Sequence, residues 1–416
     1  MNLRHVWVLA LAGTCGVAPW GHAAEPLRLE EAVNRALGAN PALAAEAAEL
    51  DAARARAERE SLAPQYVVTG ELENVGGTGA LSGVNSAETT LRLGRIIELG
   101  GKRSARQALG AAEVEQQRIS ADAARVEIAS RTAIRFIEVA VDQKRLEFAK
   151  ERVQQAERTR REVANWVSVA RNPESDLRAA EIVVANAELD REHAEHELAS
   201  AKVSLAASWG ETSPDFDVVV ANLAELPPLD PLDKLVARLP DTIEQRSLLG
   251  EARTVEARRR VAEAARRPDL NFNVGVRRLE GPGDQGLVMS IAVPLGSRTR
   301  AGFSIAEADA QLAAMEARRK AERFERHQQL FEKYQELVHA RTEVDSLRTN
   351  VIPKAEQALA FTRRGFDAGR FSFLSLSQAQ TTLFQLRERL LEAYARYHTL
   401  LVEVDRLTAT AQDSQP

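Results

Sequence analysis

The chain has 416 residues, 28% of them charged and 5% aromatic, with a formal net charge of −5 at pH 7. High charge with many Ala, Glu, Arg and Leu describes long helices with wet outer faces, and the acidic balance gives no electrostatic footprint for nucleic acid. One cysteine, Cys15, excludes a disulfide framework.

At the N-terminus Arg4 and His5 precede the apolar run Val6 to Ala12, and the small-residue stretch Gly21-His22-Ala23-Ala24 follows. This is the layout of a secretory signal peptide, placed at 1–23. Cys15 lies inside it, and Thr14 before it fits a lipidation site poorly. No later segment holds the ~20 apolar residues of a membrane-spanning helix. If this exported chain enters a membrane, it does so with strands.

A first repeat is read at 24–213. It opens with a helix over Leu29 to Ser61, with Pro41 near its start. A strand follows Pro64, where Tyr66, Val68 and Leu72 alternate with Val67, Thr69, Glu71 and Glu73. A Gly-rich loop leads to a second strand over Thr89 to Leu99, then a long helix over Lys102 to Val169. Gly110 is the only glycine inside that helix. After a turn comes the partner helix, and 214–232, with Pro214, Pro227 and Pro228, is a connector.

The second repeat spans 233–407. Leu270, Phe272, Val274 and Val276 alternate with polar residues after Pro268, and Leu287 to Leu295 returns as the partner strand. The helix from Arg298 to Arg364 is about 100 Å long if unbroken, and Pro353 predicts a kink within it. The polar tail 408–416 is expected to be disordered.

The last helix carries Leu376, Ala379, Leu383, Leu386, Leu390, Ala393, Tyr397, Leu400, Val404 and Leu407, in steps of alternately three and four. That is a coiled-coil seam. Subtracting 199 from each number gives Leu177, Ala180, Val184, Ala187, Arg191, Ala194, Leu198, Ala201, Leu205 and Ser208, the same seam weakened at two places. Arg171 likewise precedes Arg370 by 199, so the chain is a tandem duplication.

The fold class is therefore mainly α: long antiparallel coiled-coil helices plus four strands. Strands of this length and alternation suit an outer-membrane barrel, yet four cannot close one, since barrels start at about eight. An open edge in lipid is not viable. One chain must then supply a fraction of a shared barrel, and the assembly must be a ring.

Two stretches stand out, Leu29-Glu-Glu-Ala-Val with Asn40-Pro41, and Phe366-Asp-Ala-Gly-Arg-Phe-Ser leading into Gln378-Ala-Gln. Through them and the duplicated architecture the chain resembles the TolC-like outer-membrane efflux family over essentially its whole mature length. Glu71-Leu-Glu-Asn-Val-Gly-Gly-Thr-Gly, Ala87-Glu-Thr-Thr-Leu and Ile97-Glu-Leu-Gly-Gly-Lys-Arg look like its CzcC-type heavy-metal branch. The resemblance implies a homotrimer in the outer membrane of a Gram-negative bacterium, with a shared β-barrel in lipid and a helical tunnel in the periplasm. It also implies partners: a periplasmic adaptor and an inner-membrane pump of the resistance-nodulation-division class, docked through the helix-hairpin tips. The duct would export heavy-metal cations. Drugs, other organic compounds or type I secreted proteins are the alternative cargo, and a pore-free periplasmic coiled-coil scaffold is the rival of another class.

Threefold symmetry turns one side chain into a ring. Arg171, Asp176, Asp367, Gly369 and Arg370 are the candidates for gating and adaptor contact, against the plainer reading of helix capping and surface charge at a turn. The first tip departs from the family pattern, with Ala170 where glycine is usual. Glu71, Glu73 and Glu98 fall on polar strand faces and are read as lumen-facing, wetting the bore or biasing it toward cations. Leu91, Leu93, Leu270, Phe272, Val274 and Val276 are read as lipid-facing. His193 and His196 share a helix flank, and a solvated charged face is the preferred reading over a metal site. Gly100-Gly101-Lys102 lacks the upstream glycine and following Ser or Thr of a phosphate loop. No catalytic constellation, cofactor site or metal site is assigned.

Overall fold

The computed structural model describes residues 26–410, so the expected signal peptide, Cys15 and the last six residues lie outside the described residues. In chain order the elements are β1 (Leu27–Arg28), α1 (Leu29–Ala39), α2 (Pro41–Glu60), β2 (Tyr66–Glu73), β3 (Glu88–Ile97), α3 (Lys102–Ser168) and α4 (Glu174–Ala206). They continue as β4 (Val219–Val220), α5 (Leu232–Arg238), α6 (Ile243–Ala264), β5 (Leu270–Leu279), β6 (Gln285–Ala292), α7 (Ser297–Ser346), α8 (Ile352–Asp367) and α9 (Phe373–Leu407).

The single helix expected over Leu29 to Ser61 is in fact two. Asn40 is extended, its side chain accepts from Ala42 N at 2.8 Å, and Pro41 sits at the first helical position, where its missing N–H costs nothing. Asn40 Nδ2 also donates to Ser208 O at 2.7 Å, fixing the break against the end of α4. In contrast α3 runs 67 residues without interruption. Gly110 lies where α2 crosses it, and a Cβ there would come within 2.8 Å of the Ala57 Cβ. The other long helix is interrupted as Pro353 predicts. Proline cannot donate to the carbonyl four residues back, and the five residues Leu347–Val351 are wound as a π-turn between α7 and α8.

The helices form a row. In its first part α3 lies between α2 and α6, and in its second part between α4 and α9; α7 packs on α6 and then on α9, and α8 continues along α9. Ala180, Ala187 and Ala194 of α4 are buried along the seam, as are Leu376, Leu383, Tyr397, Leu400 and Val404 of α9. The outer helices of the row carry apolar stripes that nothing among the described residues covers. Ile182 and Leu189 on α4 are 61% and 63% exposed; Phe324 on α7 and Phe361 on α8 are 76% and 62%.

The segment 214–232 is more than a connector. Its β4 pairs in parallel with β1, Leu27 opposite Val219, and Gln143 of α3 brackets Val219 with two hydrogen bonds of 3.0 and 2.8 Å. Tyr397 Oη donates to Pro227 O at 2.5 Å. The expected disorder from residue 408 also needs correction. Thr408 and Ala409 are buried, Ile243 N donates to Ala409 O at 3.2 Å, and Thr410 bridges Thr242.

The four long strands form one antiparallel sheet in the order β2-β3-β5-β6. Its register sets the two faces. Leu91 pairs with Val276 and Leu93 with Val274, and the same face carries Tyr66, Val68, Phe272, Leu287, Met289 and Ile291. Leu287, Ile291 and Val68 are each about two-thirds exposed or more, at 73%, 67% and 68%. In water each such side chain forgoes ~1.5–3 kcal/mol of burial. The opposite face carries Glu71, Glu73, Glu88, Thr90, Arg92, Asn273 and Arg277.

Two measurements test this packing. A Cβ at Gly275 would sit 2.3 Å from Leu91 O and 2.9 Å from Arg92 Cα, whereas Gly70 has open space. Gly275→Ala should therefore lower the thermal unfolding midpoint, at a cost of ~1–3 kcal/mol, with Gly70→Ala close to neutral; equal effects would contradict the register. The second concerns Asp142 of α3, whose side chain is 14% exposed and pairs with Arg145 at 2.7 Å. Burial raises its pKa despite the opposing pull of Arg145. The folded chain thus holds that proton more tightly than the unfolded chain, and the resulting stability is lost as pH rises through the folded pKa. Asp142→Asn should raise the unfolding midpoint at pH 7, with the gain vanishing below the ordinary aspartate value of ~3.9. A gain independent of pH would show that charge is not its cause.

Candidate functional site

Three places bring the sequence-derived candidates together: the paired hairpin tips, the polar face of the sheet, and the junction between sheet and helices. At the tips, α3 turns into α4 through Val169–Pro173 and α8 into α9 through Ala368–Ser372. Gly369 adopts φ 71°, and Ala170, 199 residues earlier, adopts φ 55°. The first tip therefore makes the same left-handed turn without the glycine, at the steric cost a Cβ brings there.

The two tips of one chain touch. Trp166 and Phe366 stack with ring centroids 4.4 Å apart, above a core of Val163, Ala180, Phe373 and Leu376. Arg171 lies over Trp166 at 4.3 Å and donates from Nη2 to Asp367 O at 2.9 Å. Such a cation–π contact is worth ~0.5–1 kcal/mol where exposed. Glu162 of α3 and Arg363 of α8 form a second link between the hairpins. The carboxylate of Asp367 lies 3.3 Å from Arg363 on its own helix. Asp176 accepts from Asn172 Nδ2 at 2.7 Å in the first turn of α4, a capping arrangement. Arg370 N donates to Gly365 O at 2.8 Å, while its side chain is exposed with no partner among the described residues. Of the five tip candidates, Arg171, Asp367 and Gly369 are brought together; Asp176 and Arg370 are not.

On the polar sheet face the acids do not stand alone. Glu71 pairs with Arg92, and Arg277 reaches Glu73 at 2.9 Å, Glu88 at 2.7 Å and Thr90 Oγ1 at 2.9 Å. Glu71 and Glu73 do share that face, but the negative bias expected of them is largely offset by two arginines. Leu91, Leu93, Leu270, Phe272, Val274 and Val276 lie together on the other face.

Glu98, also expected to face the lumen, stands one residue past the sheet. β3 ends at Ile97, and Glu98 instead grips Arg106 of α3 in a bidentate pair. Arg106 also donates to Glu60 O at 2.8 Å and Leu62 O at 3.1 Å, and Arg103 to Ser61 O at 2.6 Å, so together they cap the carbonyl end of α2. Lys102 completes the junction with Asp269 at 2.7 Å. Through Arg106, Glu98 helps fix the junction between sheet and helix row.

Sequence reasoning missed Glu162, Trp166, Arg363, Arg92 and Arg277. The only signal for Glu162 and Arg363 is that these opposite charges stand at nearly the same height before the two tips. The two strand arginines become partners only through the register.

No helix among the described residues is long and apolar enough to cross a membrane. The chain matches the family model for outer membrane efflux proteins over residues 32–211 and 250–410. It is 29% identical over 391 residues to the cobalt-zinc-cadmium resistance protein CzcC of Cupriavidus metallidurans, covering 92% of this chain and 90% of that one. Among solved structures it is similar to CusC, with a TM-score of 0.78 at 14% identity and 94% of each chain covered. It is also similar to the open state of the MtrE outer membrane channel of Neisseria gonorrhoeae, with a TM-score of 0.74 at 18% identity, covering 94% of this chain and 91% of that one. At these identities the structural likeness speaks for the fold alone. The family match spans both halves of the duplication, and the chain belongs to the outer membrane efflux protein family.

Proposed function

We propose that this chain is the outer-membrane exit duct of a tripartite resistance-nodulation-division efflux system, that it works as a homotrimer, and that its cargo is heavy-metal cations. One observation carries the reading. The row of four strands and the row of helices are both open at both edges: β2, α2 and α4 lie on one side and β6, α7 and α8 on the other. An edge strand in hydrocarbon leaves N–H and C=O groups unsatisfied, at several kcal/mol each. Copies joined edge to edge remove both edges, and three copies of four strands give twelve, enough to enclose a bore.

The two sheet faces support the same assembly, with the Leu91, Leu93, Leu270, Phe272, Val274 and Val276 face toward lipid and the Glu71 and Glu73 face toward the lumen. A pore-free scaffold would leave the apolar face in water. The heavy-metal cargo rests on the likeness to CzcC, and the duct itself performs no chemistry. The paired tips, linked by Arg171, Asp367, Glu162 and Arg363, would form the constriction and face the periplasmic adaptor.

Deleting the gene should raise sensitivity to cobalt, zinc and cadmium while leaving antibiotic sensitivity near that of the parent. Unchanged metal tolerance with new drug sensitivity would overturn the cargo and keep the duct. At the tips, Arg171→Ala combined with Glu162→Gln removes both links between the hairpins. Single-channel conductance in a planar bilayer should then rise at least ~2-fold, because a narrow charged ring sets the current. Unchanged conductance would take these contacts out of the gate.

A further inference from the structure

We propose that Arg95, with Tyr66 beside it, holds the phosphate of an anionic phospholipid in the periplasmic leaflet, at the lower rim of the sheet's apolar face. The inference rests on the duct reading above, which puts that face in lipid.

The sheet contains four arginines, Arg92 and Arg95 on β3 and Arg277 and Arg278 on β5. Three of them are neutralised by carboxylates. Arg92 pairs with Glu71, Arg277 with Glu73 and Glu88, and Arg278 with Glu280 at 3.1 Å. Arg95 has no carboxylate partner among the described residues. Its register sets it between Tyr66 of β2 and Phe272 of β5, on the face of Leu91, Leu93 and Val274. A bare guanidinium on a lipid-facing strand is costly at the middle of the bilayer and tolerated at the boundary, where an anion can meet it.

Its depth suits that boundary. Arg95 stands two residues before the end of β3 at Ile97, about 7 Å at ~3.4 Å per residue. In the proposed duct this is the periplasmic end of the sheet, where β3 leads toward α3. An arginine stem can span such a distance, keeping its methylenes on apolar surface while the charge reaches the headgroups.

The guanidinium is also held in place. Its Cζ lies 4.6 Å from the centroid of the Tyr66 ring, and Nη1 donates to Tyr66 Oη at 2.8 Å. Most of its five N–H donors remain free, in the planar fork that matches phosphate oxygens. Tyr66 is 64% exposed, and an amphipathic ring of this kind favours the lipid–water boundary.

The surroundings add positive charge at the same level. Leu295, past the end of β6, is 93% exposed, and α7 begins two residues later. Arg298 and Arg300 in its first turn are exposed, with no side-chain partner among the described residues. The nearby acids Glu98 and Asp269 are already paired with Arg106 and Lys102. Charge complementarity and continuity with the lipid-facing surface therefore favour one occupant, a phospholipid whose headgroup carries net negative charge.

The test is titration of the purified, detergent-extracted full chain with phosphatidylglycerol or with phosphatidylcholine, bound lipid being counted by native mass spectrometry. The tightest site should favour phosphatidylglycerol about 5-fold, the effect of one interfacial arginine. Arg95→Gln should bring that ratio close to one. Arg278→Gln, on the same face but at the other end and already paired, should leave it unchanged. Circular dichroism and size exclusion verify folding, and Arg95→Met serves if the glutamine variant does not fold. The proposal is overturned if the two lipids bind alike, if the preference survives loss of Arg95, or if Arg278→Gln lowers it equally. Displacement of the lipid by inorganic phosphate would mark a bare anion site and overturn it too. Conductance in a planar bilayer tests the duct separately, so a conducting chain without the lipid preference refutes this site alone.

Discussion

A backbone N–H or C=O without a protein partner is satisfied by water and prohibitively costly in hydrocarbon. The sheet has such groups along β2 and β6, and it presents one face of Leu, Val, Ile and Phe side chains. The rest of the molecule conforms to that constraint. The helices below the sheet repeat its order and its open edges, so in the proposed trimer a neighbour that completes the strands would also meet the exposed stripes on α4 and on α7–α8. Sheet and helix row are tied by Arg103 and Arg106, which hold the carbonyl end of α2, and by Lys102 on Asp269. In the proposed assembly, completion at one level would thus align the other.

The duplication preserves geometry while letting chemistry diverge. Ala170 and Gly369 make equivalent left-handed turns, yet the arginines that follow them have different surroundings. Arg171 is held by Trp166 and the Asp367 carbonyl, while Arg370 points into solvent. One tip fastens and the other is fastened to. The sheet shows the same economy, because Arg277 of the second repeat serves Glu73 and Glu88 of the first. The two halves are bound by contacts that neither could make alone.

Much of this architecture is legible in the residues themselves. The three-four alternation from Leu376 to Leu407 marks α9, and its echo from Leu177 marks α4, because buried seams must recur at the helical period. Period-two alternation locates the four strands and sorts Glu71 from Leu91 by face. What escapes is whatever depends on distance in three dimensions. The pairing of Arg277 with three residues of β2 and β3 needs the register between repeats. Glu98 looks like one more polar position on a strand until Arg106, a helical turn into α3, draws it out of the sheet. The β1–β4 pair was invisible because two-residue strands carry no period, and Asn40 ends α1 through a contact with Ser208 far along the chain.

The long limbs of the two repeats differ in one mechanical respect. α3 is an unbroken rod from the sheet to the tip, whereas the limb of α7 and α8 has a π-wound turn at Leu347–Val351, closer to the tip than to the sheet. In the proposed ring a load at the tips would travel up the first limb as through a strut, and would meet in the second a turn whose hydrogen-bond ladder is already widened. Around a closed ring, stiff and jointed legs would alternate. Widening the end would then require only the jointed legs to swing while the others keep the tube upright.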